Sequence, residues 1–192
     1  LATTIRLPLG SWLGLSHFWG RRPLIALVYT GMGFPPVVIG LFVYLLLSRS
    51  GPLGGLGWLF NPPAMILAQT IISFPLVAGF IMAAVMSVNP ILKQQLASLG
   101  ATKWQATITI LQEARIGVIV SIVAGFGAII SEVGAVMIVG GNIEGHTRVL
   151  TTAIVQLTRM GVFNLAIALG TILLAICFII NLAMLRFQGR LA

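Results

Sequence analysis

Residues 89–115 read NPILKQQLASLGATKWQATITILQEAR, the one polar interval of any length between strongly apolar segments. Asn89 can cap a helix, with Pro90 behind it at the first helical position, where a missing N–H costs nothing. Leu92, Leu96 and Leu99 fall at i, i+4 and i+7 and give that helix one apolar face. Gly100 stands where a chain leaves a helix through the left-handed conformation. Thr102 followed by Gln105 forms a capping box that starts a second helix, with Trp104, Ile108 and Leu111 along its apolar side. Flanked by Lys93 and Lys103, this helix–glycine–helix suits two roles: an amphipathic connector on a bilayer surface, or a piece that docks into a partner's groove.

The composition decides what surrounds it. Hydrophobic residues make up 58% of the chain and charged residues 7%, with a mean hydropathy of +1.09. That is far more apolar surface than a soluble domain can bury, so the chain is an all-α integral membrane protein. The net charge of +8 would suggest nucleic acid in a soluble protein; beside lipid-length apolar runs it sets orientation instead. Cys177 is the single cysteine, so no intrachain disulfide can form.

Outward from the polar interval, the apolar runs are expected to be spans. They cover residues 23–47, 63–88, 116–139 and 161–185, each long enough for about 30 Å of hydrocarbon at about 1.5 Å per residue. Residues 1–20 are expected to be the end of a further span that begins before Leu1. Pro35 and Pro36 interrupt the run at 23–47, either as a kink packed on other helices or as a pathway wall. Residues 49–62 (RSGPLGGLGWLFNP) form a loop with Trp58 and Phe60 as interfacial anchors. The run at 116–139 is rich in Gly and Ser, which permits close helix approach. Residues 140–160 form a loop whose apolar part at 149–157 can dip back into the membrane.

Loop charge orients the chain. With residues 89–115 inside, that side carries Arg21, Arg22, Lys93, Lys103, Arg115, Arg186 and Arg190, against Arg49, Arg148 and Arg159 opposite. The positive-inside rule therefore puts the polar interval in the cytoplasm.

Nothing in the sequence supports covalent chemistry: there is no Ser/His/Asp set, no metal-ligand cluster and no phosphate loop. The chain is expected to be no enzyme and to bind no cofactor or metal; any ATP and Mg belong to another subunit. Glu132 is the one ionisable group inside a span. It is read either as a hinge, its carboxylate bonded to the backbone of a broken helix, or as a substrate contact.

The polar interval resembles the cytoplasmic loop of permease subunits of binding-protein-dependent ABC importers, which carries E-A-A, three residues, Gly, nine residues, then I-x-L-P. Gly100 and Ile110 match its glycine and isoleucine. Gln94, Gln95 and Leu96 stand in place of E-A-A, and Gln112 and Glu113 in place of L-P. Residues 30–40 (TGMGFPPVVIG), 45–54 (LLLSRSGPLG) and 131–154 (SEVGAVMIVGGNIEGHTRVLTTAI) resemble tungstate-type permeases, relatives of the molybdate permeases.

The resemblance implies a type I ABC importer permease fold of about four complete spans plus a partial N-terminal one. It implies a homodimer on two cytoplasmic ATP-binding subunits, in a prokaryotic plasma membrane. An extracytoplasmic binding protein would deliver tungstate first, molybdate next, for ATP-driven alternating access. Coupling to the ATPase would fall to Gln94, Gln95, Leu96, Leu99, Gly100, Ala101, Trp104 and Ile110. Thr30, Pro35, Pro36, Ser131 and Glu132 are the pathway or gate positions. The alternatives are an ion-coupled secondary transporter, which would show internal repeats and titratable coupling groups, and a membrane scaffold that recruits a cytoplasmic partner without transporting.

Overall fold

The computed structural model describes residues 19–189. The expected end of a span over residues 1–20 falls, but for Trp19 and Gly20, outside the described residues. Among those, there are nine α-helices and no strand: α1 Arg21–Met32, α2 Pro36–Leu47, α3 Pro62–Met86, α4 Pro90–Ser98, α5 Lys103–Glu113, α6 Arg115–Ile130, α7 Gly134–Gly140, α8 Leu150–Arg159 and α9 Phe163–Gly189. A single 3-10 turn, Gly54–Leu56, precedes α3.

Two helices, Pro62–Met86 and Phe163–Arg186, are long and apolar enough to cross a membrane alone, and up to four spans result if each bent pair counts as one. The apolar window of α9 has a mean hydropathy of 2.6, and only 6% of it is buried within the chain. A helix that apolar with so little protein around it needs lipid or another chain as its surroundings.

Two of the expected spans are each built from two helices. Residues 23–47 are not one helix but two. Pro35 is extended (φ −62°, ψ 121°) because the following proline drives it out of the helical region, and Pro36 then starts α2 at N1. The run at 116–139 is likewise two helices, α6 and α7, parted by residues 131–133. There the carboxylate of Glu132 accepts the Ala135 N–H at 2.9 Å, an alternative to the helix's own carbonyl. Residues 140–160, expected as a loop, contain the helix α8.

The chain forms two compact units. Among the described residues, the first combines 19–33, 74–125 and 184–189; the second combines 34–73 and 126–183. In the first, Val77, Ile81 and Val85 of α3 pack with Val88, Ile110 and Ala114, and Leu92, Leu96 and Leu111 lean on that cluster. In the second, Val43 and Leu47 of α2 meet Ala135, Val136 and Val139 of α7, with Ala64, Met65 and Ala68 beneath. The contact between α2 and α7 depends on Gly40: a Cβ there would lie 2.6 Å from the Ala135 Cα, so the backbones touch.

Candidate functional site

The polar interval is built by local bonds. Asn89 Oδ1 accepts the Ile91 N–H at 2.9 Å and opens α4. At its far end Gly100 takes φ +72°. The Gly100 N–H reaches the Ala97 carbonyl at 3.1 Å and the Ala101 N–H the Leu96 carbonyl at 3.0 Å, the paired bonds of a Schellman ending. Two residues on, the capping box closes: Gln105 N–H donates to Thr102 Oγ1 at 3.3 Å and Thr102 N–H to Gln105 Oε1 at 2.9 Å. Every donor at the start of α5 that the box can reach is used, so the two helices meet at a defined joint. Beyond it, α5 and α6 form a 69° bend.

The apolar face predicted for these helices divides. Leu92 and Leu96 pack inward on the cluster around Ile81, and Ile110 is 3% exposed. Leu99 and Trp104, by contrast, are 83% and 72% exposed. Gln94 and Gln95 are exposed and Ala101 is half-buried. The buried side of α5 therefore centres on Ile110, Leu111 and Ala114 rather than on Trp104 and Ile108. Of the eight coupling positions, Leu96 and Ile110 hold the joint to the body, while Leu99 and Trp104 at the joint stand uncovered by the described residues.

Of the pathway positions, Thr30 belongs to the first unit and Pro35, Pro36, Ser131 and Glu132 to the second. The structure brings the Pro36 and Glu132 helices together. A Cβ on Gly134 would lie 2.6 Å from Val37 Cγ2 and 3.5 Å from Glu132 Oε1, so α2 and α7 start side by side. The hydroxyls of Thr30 and Ser131 return to their own helices, at 2.8 Å to the Ala26 carbonyl and 2.9 Å to the Gly127 carbonyl.

Sequence reasoning missed the groups that seal the break at 131–133. Thr151, at the start of α8, donates to the Glu132 carbonyl at 3.3 Å. Gln69 of α3 reaches the Ile129 carbonyl at 3.5 Å. These side chains supply donors to carbonyls at the break that the interrupted helix leaves without its own. Their separations of 19 and 60 residues leave no local pattern to find. The loop ahead of α8 is pinned in the same manner. Thr147, 2% exposed, donates to the Gly140 carbonyl and accepts the Ile143 N–H at 2.9 Å. His146 Nε2 meets Asn61 Oδ1 at 2.7 Å. The Asn61 amide nitrogen already donates to the Gly57 and Leu59 carbonyls, so His146 is the donor.

Described residues that form helices and turns only, with long apolar helices, a capped helix–glycine–helix and helices broken inside apolar runs, fit a membrane permease subunit. The chain belongs to the binding-protein-dependent transport system inner membrane components, whose family model matches residues 6–192. It is an integral protein of the plasma membrane and a transport component. Its relatives include a probable anion ABC transporter permease protein of Haloferax volcanii, 43% identical over 99% of this chain and 84% of the relative. The tungstate uptake system permease protein TupB of Peptoclostridium acidaminophilum is 43% identical over 98% of this chain and 82% of its own length. The molybdenum transport system permease protein ModB of Escherichia coli K12 is more distant, at 28%. Among solved structures, a chain of a bacterial ABC transporter that imports alginate superimposes with a TM-score of 0.71, covering 97% of this chain and 72% of that one at 24% identity. That likeness establishes the permease fold.

Proposed function

We propose that this chain is the translocation subunit of an ABC importer for an oxyanion, with tungstate the first expected substrate and molybdate the second. Two copies would sit on two cytoplasmic ATP-binding subunits, which carry the ATP and Mg. An extracytoplasmic binding protein would load the outer mouth. The single observation that carries the reading is the joint at Gly100. Its backbone and caps are complete within the chain, yet Leu99 and Trp104 stand 83% and 72% exposed beside it. Apolar side chains on a rigid helical corner fit a partner's groove. Movement of that partner during ATP hydrolysis would be transmitted as rigid-body motion of α4 and α5 to the helices packed on them. The identities of 43% to a tungstate and to an anion permease support the substrate class.

The test is ATP hydrolysis by the chain co-purified with its ATPase, with and without a binding protein loaded with tungstate, molybdate or sulfate. Stimulation by one loaded form is expected, tungstate giving the largest. A stable complex that none of the three stimulates would overturn the oxyanion. Uptake by the purified chain alone, driven by a pH gradient in liposomes, would replace the proposal with a secondary transporter.

A further inference from the structure

The joint at Gly100 carries charge as well as an apolar corner. Of the chain's three carboxylates none falls in residues 89–112, which hold Lys93 and Lys103. Gln94, in the place of the glutamate of the loop this interval resembles, is exposed and neutral, as is Gln95. Resting on the reading that the joint docks on an ATP-binding subunit, we propose that the groove receiving Leu99 and Trp104 has an acidic rim, with a carboxylate of that subunit paired to Lys103.

Lys103 is not placed to serve its own helix. It is exposed and opens α5 directly after the Thr102 cap, with no acidic residue in that first turn. A cation there adds to the positive end of the helix dipole, so it weakens the helix rather than supporting it. Glu113, the carboxylate of the same helix, stands at its far end, about 15 Å from Lys103 at about 1.5 Å per residue. Exposed charges that far apart are largely screened at physiological salt. Lys103 and Trp104 therefore present a cation beside an aromatic anchor, which an apolar groove with a carboxylate at its edge complements.

The packing favours a protein over anionic lipid headgroups as the source of that negative charge. An amphipathic helix that lies on a bilayer turns its apolar face to the lipid. Here that face, Leu92 and Leu96 of α4 with Ile110 and Leu111 of α5, is covered by Ile81 and Val85 of α3 and by Val88 just beyond it. Leu99 and Trp104 lie outside that cluster and remain exposed. One leucine and one tryptophan at a corner are little area for holding to a membrane, but they suit anchoring in a pocket ringed by polar groups.

The experiment is the kinetics of binding between the full-length chain in neutral detergent and the ATPase that co-purifies with it, at about 50 mM and about 500 mM salt. Lys103→Glu is expected to slow association roughly tenfold at the lower salt and to approach the wild type at the higher, since a rim charge acts on the encounter. A carboxylate suits the first turn of a helix, so this substitution is expected not to lower the melting temperature, which separates lost complementarity from lost fold. Gln94→Glu is expected to slow association in the same sense by a smaller factor. Trp104→Ala is expected instead to hasten dissociation at both salt concentrations, as the loss of an anchor does. Unchanged or faster association of Lys103→Glu, with Trp104→Ala still weakened, would overturn the acidic rim and leave the docking reading standing. A complex that neither substitution affects would overturn both. An effect of Lys103→Glu confined to nanodiscs containing phosphatidylglycerol, and absent in neutral detergent, would assign the lysine to the membrane surface and overturn the rim.

Discussion

The chain breaks a helix at residues 99–102 and again at residues 131–133, and the two breaks are sealed in opposite ways. At the first, all the bonds come from within the break's own neighbourhood: the Ala97 and Leu96 carbonyls, Thr102 and Gln105. Water reaches this joint and stands in for any bond that fails. At the second, Glu132 caps α7 from three residues away, but Thr151 and Gln69 come from other helices. Those two partners lie 19 and 60 residues away in the chain and are present only when the helices that carry them are packed. Self-contained capping lets the Gly100 joint keep its shape while its outer surface meets a partner. Capping by distant groups makes the break at 131–133 depend on how the second unit is packed. The first suits a lever and the second a hinge.

The largest effect should come from the packing that holds the second break. Gly40→Leu puts a side chain where the Ala135 backbone already is. Overpacking of this kind costs about 3 kcal/mol or more because neither backbone can retreat. The purified protein in detergent should show a large drop in melting temperature, if it accumulates at all. An unchanged melting temperature would mean that α2 and α7 part readily, and that the second break is not fixed by packing.

Next comes Glu132→Ala, which removes the acceptor of the Ala135 N–H inside the membrane region. An unsatisfied N–H there costs about 1–3 kcal/mol. Glu132→Gln keeps an oxygen acceptor and should recover most of that loss. The pair separates the two readings of this residue. If the glutamine variant is stable and transports, the carboxylate serves the hinge; if it is stable and does not transport, the charge itself is used in the pathway.

At the first break, Gly100→Leu meets no steric obstacle, since a Cβ there has nothing within 4 Å. Its cost is conformational, roughly 1–2 kcal/mol for a side chain held at φ +72°. Coupled uptake should fall much further than stability, because the corner between α4 and α5 is displaced. Gly100→Asn, which tolerates the left-handed region, should keep most of both. Equal loss of uptake in the two variants would mean that bulk at the partner surface, rather than backbone shape, is what fails.

The same contrast explains what the sequence could show. The Asn89 cap, the Gly100 exit and the Thr102–Gln105 box were all legible, because each is written within five residues of itself. The Pro35–Pro36 interruption was visible as chemistry, but its outcome, two helices rather than a kinked one, followed from the restriction proline puts on the residue before it. Glu132 stood out as a lone carboxylate in an apolar run. Thr151 and Gln69 did not, because a threonine near a helix start and a glutamine in a span carry no mark of the backbone they serve. The division of the apolar ridge into inward Leu96 and outward Leu99 also escaped, since periodicity gives a face but not what covers it.

The smallest effect, Thr102→Ala, tests the comparison most directly. The substitution takes the acceptor from the Gln105 N–H and the hydroxyl donor from Gln105 Oε1, which keeps only the residue 102 N–H. Both groups are exposed, so water takes over the lost bonds and the cost is about 1 kcal/mol, the usual worth of an N-cap. Hydrogen exchange should show faster amides confined to the first turn of α5, while α6 and α7 exchange as before. Gln105→Ala breaks the same reciprocal pair from the other side, so the double variant should be less destabilised than the sum of the two. At residues 131–133 the acceptor belongs to a half-buried side chain held among other helices, and Glu132→Ala should exceed Thr102→Ala in its effect on the melting temperature. If the two were equal, water would have to reach the second break as freely as the first, and residues 131–133 would line a hydrated pathway rather than a packed hinge.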